Sequence, residues 1–163
     1  MTLLTVGPGR AGMYVPLAGL PHWSETMGQA EAAMHTGDLV QAQSLYDRAL
    51  ALVGQVMVQG HPAQACDCVA AWVSSSRCLS DLHTDLAHAH GAAEALAKAH
   101  TTLIALMVQH PRGSAWHEAA AWHSRETHGC LVEHWLEHGP DPEIERALRC
   151  ACVPLKPSNQ PLH

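Results

Sequence analysis

Shifted against itself by 50 residues, the chain lays Ala42 on Ala92, Tyr46 on Leu96, Ala49 on Ala99 and Val53 on Leu103. The same shift sets Met57-Val58-Gln59 on Met107-Val108-Gln109, and both copies then run into His-Pro. Self-similarity at a fixed period marks a repeat architecture, in which a supersecondary unit that cannot bury its apolar face alone is covered by the next copy. A further shift of 52 sets Gly37 on Gly139, Tyr46 on Leu148 and Ala49 on Ala151. The third copy is truncated.

The repeated unit reads as helical. Trp23, Met27, Ala30 and Met34 recur at steps of four, three and four, and Leu39, Ala42, Tyr46, Ala49, Val53 and Val56 form a second stripe of the same period. Gly37-Asp38 separates the two as a turn followed by an N-cap. Alanine supplies 26 of the 163 residues and phenylalanine none, which favours closely approaching helices over a sheet. A third helix is expected from Pro62 through Trp72 and Leu82. A fourth follows through Leu96 and Leu103 to His110-Pro111, with the break between them in Asp85–Gly91. Ser114 caps a fifth that ends at Gly139-Pro140, and Asp141-Pro142 opens a sixth that stops near Pro154. The expected fold is all-α: about six antiparallel helices in three stacked hairpins. It divides into an irregular arm over residues 1–20, one domain over 21–154 and a flexible tail over 155–163.

Charge narrows the function classes. Nine Lys and Arg stand against 15 Asp and Glu, a net charge of −6, and no two bases are adjacent, so nothing offers the electrostatic footprint of a nucleic-acid binder. No apolar run reaches the roughly 20 residues of a membrane span. Residues 1–20 carry Arg10 late and are broken by Gly and Pro, unlike a signal peptide. A cytoplasmic protein with six reduced Cys is expected. There is no phosphate loop, nucleophile elbow or two-Cys zinc pattern, so no enzyme is expected.

The first hairpin resembles a tetratricopeptide repeat, two antiparallel helices with small residues at their crossing. Ala30, Gly37-Asp38, Ala42, Tyr46 and Ala49 stand at the family's small, turn, small, aromatic and small positions, while Gly54 replaces its usual proline. The build is also similar to that of short bacterial proteins of no assigned function whose last helix opens Pro-Glu-Ile, as Pro142-Glu143-Ile144 does here. The repeat resemblance implies a groove formed by first-helix side chains. Its positions fall on Met27, Glu31, Met34 and His35, then Arg77, Asp81, Thr84 and Asp85, then Gly129, Glu133, Leu136 and Glu137. The same register predicts Leu131, Val132 and Trp135 to be buried. The implied function is a non-catalytic protein–protein interaction module without a cofactor. Its acidic groove would take a basic or amphipathic protein or peptide segment, with Met27 and Met34 as apolar anchors. Its uncovered end predicts a homodimer.

Histidine supports a different reading. Ten of the 14 lie between His83 and His138, and Cys130, His134 and His138 follow one another at steps of four. That makes the chain alternatively a metal-binding or metal-sensing helical protein for Zn or Cu. Residues eight apart on one helix are about 12 Å apart, so such a site needs a ligand from a second helix or chain.

Overall fold

The computed structural model describes residues 14–150, and every regular element among them is helical. Six α-helices follow in order: α1 (Pro21–Thr36), α2 (Leu39–Gln59), α3 (Ala65–Asp85), α4 (Ala89–Gln109), α5 (Ala115–His138) and α6 (Pro142–Cys150). A single 3-10 turn, Pro62–Gln64, precedes α3. The first 13 residues of the expected arm, the Ala151 match, the stop near Pro154 and the tail lie outside the described residues.

The 50-residue period is physical. Helices α2 and α4 begin and end 50 residues apart, at 39–59 and 89–109. Their matched side chains share burial: Ala42 with Ala92, Tyr46 with Leu96, Ala49 with Ala99 and Val53 with Leu103 are all in the core. At the far end Val58 and Val108 are both exposed. The first helices keep the same register, with Trp23 and Val73, Thr26 and Ser76, and Ala30 and Ser80 buried in pairs. A methyl or hydroxymethyl at such crossings lets two helix axes come close without a void.

The turns repeat as well. Gly37 takes a left-handed φ of 77°, and its N–H and that of Asp38 donate to the carbonyls of Met34 and Ala33 at 3.1 and 2.9 Å. Fifty residues on, Ala87 takes a φ of 56°, and its N–H and that of His88 donate to Thr84 and His83 at 2.9 and 2.8 Å. The break between α3 and α4 thus lies within the expected window but is made without glycine. Asp38 Oδ1 accepts from the Gln41 N–H at 3.1 Å to cap α2, and Ser114 Oγ accepts from the His117 N–H at 3.3 Å to cap α5.

Two cores form. The main one runs through α1 to α5, with Trp23, Met27, Ala30, Tyr46, Val53, Val69 and Leu82 among its members. The second joins Ala93, Leu96 and Ala97 of α4 to Leu131 of α5 and to Ile144 and Ala147 of α6. Ahead of α1, residues 14–20 are irregular but pinned. The Tyr14 hydroxyl donates to the Ser24 carbonyl at 3.1 Å, the Leu17 N–H donates to Ser24 Oγ at 2.9 Å, and Leu20 is buried.

Candidate functional site

Side chains of α1, α3 and α5 meet on one face. Arg77 of α3 reaches α5, its guanidinium 2.6 Å from Glu126 Oε1. The charges of Asp81 from α3 and Cys130 from α5 act on Arg77 directly, and Glu31 from α1 and Glu133 from α5 flank them through Cys78 and Cys130. Burial raises the Tyr46 phenol, and Cys78, Glu31 and Asp81 raise it further. Burial pushes the Cys78 thiol up to about 12, with Asp81 and Glu31 adding to the shift and Arg77 opposing it. Burial also raises Cys130, with Arg77 opposing and Glu126, Glu133 and Asp81 adding. Carboxylates from three helices therefore lie along one face, with Asp81 and Glu126 acting directly on its guanidinium. Such a surface attracts cations, and short-range contacts then select among them.

Beside the Arg77–Glu126 link lies a cavity of about 180 Å³ whose lining includes Leu17, Trp23, Val73 and Ser74 together with both partners of that link. It supplies apolar surface next to the carboxylates. A larger cavity, about 560 Å³, lies between α2, α3, α4 and α6, where Asp47, Glu94 and Glu143 are mixed with Lys98 and Arg146. Its signs alternate, so it offers no single-sign field. Volume and electrostatics point to different places, and the charged face is the more selective of the two.

Of the residues the sequence assigns to the groove, Arg77 and Asp81 come together, with Glu31 and Glu133 on their flanks beside Cys78 and Cys130. Met27 is corrected: it is 1% exposed and lies in the core with its sulfur 3.6 Å from Ser75 Oγ. The small Ser75 lets α3 close over it, so it cannot anchor a partner. Met34 is half-buried against the same core. His35 is exposed, its Nδ1 2.8 Å from the Glu31 carbonyl of its own helix. Asp85 is exposed at the last residue of α3. Glu137 turns toward His138, with its Oε2 3.9 Å from Nε2. Val132, expected to be buried, is exposed, and Trp135 is only half-buried; Leu131 is fully buried.

Glu126 was not among the expected positions. It is the third-unit counterpart of Ser24 and Ser74, one turn before the first position assigned in each unit, and extending the register by that turn finds it. Tyr46 is buried at the helix crossing, as the repeat pattern expects, and its phenol also lies within reach of the acidic residues Glu31 and Asp81.

Cys130, His134 and His138 do not gather into a ligand set. Each four-residue step winds about 40° around a helix, so the stripe turns through about 80° over its length. Cys130 is left in the field of Arg77, while the His134 and His138 rings lie 4.5 Å apart beyond it. Burial, then the neighbouring His138, lowers the His134 pKa. Among the described residues no three His, Cys, Asp or Glu side chains are arranged to hold a metal ion, and no helix is long and apolar enough to cross a membrane. No curated protein and no solved structure matches the chain. Residues 21–160 match the model of the family described as protein of unknown function DUF2753, and the chain belongs to that family.

Proposed function

We propose that this protein is a tetratricopeptide-like interaction module that holds a basic segment of a partner protein against the face formed by α1, α3 and α5. The observation that carries the reading is the Arg77–Glu126 link between α3 and α5 with Asp81 beside it, flanked by Glu31 of α1 near Cys78 and by Glu133 of α5 near Cys130. Glu31 and Asp81 supply the attraction for Lys or Arg. The cavity beside Trp23 and Val73 accepts one apolar side chain of the segment, and Arg77 fixes the direction in which it lies.

Two buried thiols offer no nucleophile. Burial holds Cys78 up at about 12 and Cys68 up at about 11, so neither is a thiolate, the nucleophilic form, at neutral pH. The test is fluorescence anisotropy with a labelled amphipathic peptide rich in Lys and Arg, compared with the same peptide carrying Glu at those positions. Selective binding of the basic peptide, weakening as salt is added, supports the reading. Equal binding of the two peptides, or binding of neither, overturns it.

A further inference from the structure

We propose that the outward face of α5 is a self-association surface, on which a second copy of this chain docks antiparallel with Gly129 at the crossing. The inward face of α5 is in the core through Trp116, Ala120, Thr127, Leu131 and His134. The opposite face carries Trp122, Val132 and Leu136, which are 73%, 39% and 78% exposed. Trp122, Gly129 and Leu136 are seven residues apart, the spacing that keeps one stripe of a helix facing a neighbouring helix.

Gly129 is the informative member. A Cβ built there meets no atom within 4 Å, so packing within the described chain does not call for glycine. A glycine inside a helix nevertheless costs about 1 kcal/mol relative to alanine. Its value lies in letting a helix from outside approach closely.

The stripe is its own complement. Trp122 and Leu136 lie seven residues on either side of Gly129, and Arg125 and Glu133 lie four on either side. Turning a second α5 antiparallel about Gly129 sets Trp122 of each copy beside Leu136 of the other and brings Arg125 level with the other copy's Glu133. Every contact occurs twice, as an isologous interface requires. Within one chain Arg125 and Glu133 are about 12 Å apart along the helix, and both are exposed with no ion-pair partner among the described residues. Glu126 is already held by Arg77 at 2.6 Å, so the incoming Glu133 meets Arg125 rather than an uncompensated carboxylate. A mainly apolar groove of about 360 Å³, its lining including Ala63, Ala115, Ala119 and Trp122 with Glu118 and His123 among them, opens beside the contact, at the end of α5 where the other copy's Leu136 arrives. This charge pattern favours a copy of the chain over an unrelated partner. The pairing uses Glu133 at the edge of the acidic face and leaves Glu31 and Asp81 outside the interface.

Sedimentation equilibrium on the full chain tests this with Arg125→Glu, Glu133→Arg and the two together. The expected result is a wild-type dimer, each single reversal weakening it by roughly tenfold or more, and the double reversal restoring it. Trp122→Ser and Leu136→Ser should each weaken it as well; both side chains are exposed, so the fold is retained. A monomeric wild type, a double reversal that restores nothing, or a dimer indifferent to Trp122→Ser and Leu136→Ser overturns the proposal. Binding of the basic peptide by the Arg125→Glu variant is measured separately, so the dimer and the acidic-face reading stand or fall independently.

Discussion

The Trp23 indole N–H of α1 donates to the Ser75 hydroxyl of α3 at 2.8 Å, inside the core and across 52 residues of sequence. Ser75 in turn donates to the Ala71 carbonyl at 2.8 Å, so a single hydroxyl satisfies a buried indole and a backbone acceptor. The pair ties the first helices of two successive repeats together directly beneath the acidic face. Ser75→Ala leaves the indole N–H without a partner and should cost about 1–3 kcal/mol, read from urea unfolding. Adding Trp23→Phe removes the orphaned donor, so the double variant should lose less than the sum of the two single losses.

Ala87 occupies the turn that Gly37 makes in the first repeat, with a φ of 56° where Gly37 has 77°. An L-residue with a Cβ pays a steric penalty there that glycine does not. Ala87→Gly should therefore raise stability by about 0.5–1 kcal/mol, seen as a higher unfolding midpoint with an unchanged denaturant slope. The same substitution at the exposed Ala105, inside α4, should lower it.

Much of the architecture is legible because small residues recur where helices cross. Ala42, Ala49, Ala92 and Ala99 mark the crossings in the sequence, and each is buried. The α3–α4 break is hard to place because Ala87 makes a left-handed turn without the glycine that announces one at Gly37. Met27 misleads for a related reason. The register equates it with Arg77, yet position 27 is covered by α3 through the small Ser75, while position 77 reaches across to Glu126. The repeat register places Val132 in the core, but it is exposed on the stripe of α5 that faces away from α3 and α4. The metal stripe fails because a four-residue spacing drifts around the helix, which one-dimensional spacing conceals.

His100 is 1% exposed and lies between α4 and α5, its Nδ1 2.8 Å from the Thr127 hydroxyl. Burial, followed by the neighbouring His128, lowers its pKa from 6.5 to about 4. The unfolded chain therefore takes up this proton before the folded one does. The resulting stability is present above pH 6.5 and is lost as pH falls toward 4. This group alone should remove about 2 kcal/mol between pH 7.5 and 4.5. His100→Gln should flatten that part of the urea midpoint against pH.

His90 works in the opposite direction at the start of α6. Its Nδ1 lies 2.8 Å from Asp141 Oδ2, and the hydrogen bond and charge of that carboxylate raise its pKa. Asp141 also caps α6, its Oδ1 accepting from the Glu143 N–H at 2.8 Å. A raised histidine pKa gives stability that is present at low pH and lost as pH rises through the folded value. The amides of Ile144 and Ala147 should exchange faster at pH 8 than at pH 6 after correction for intrinsic rates. Asp141→Ala should remove that difference and cost about 1 kcal/mol through the lost cap.

Binding of a basic segment to the face built from Glu31, Arg77, Asp81 and Glu126 is open to a direct test. An NMR titration of the full chain with a Lys- and Arg-rich amphipathic peptide tests it most directly. The Trp23 indole and the amides of residues 77–81 and 126–130 should shift together, and Glu31→Gln with Asp81→Asn should weaken binding by roughly tenfold. Shifts confined to the cavity between Asp47, Lys98 and Arg146, or no shift at all, would contradict it.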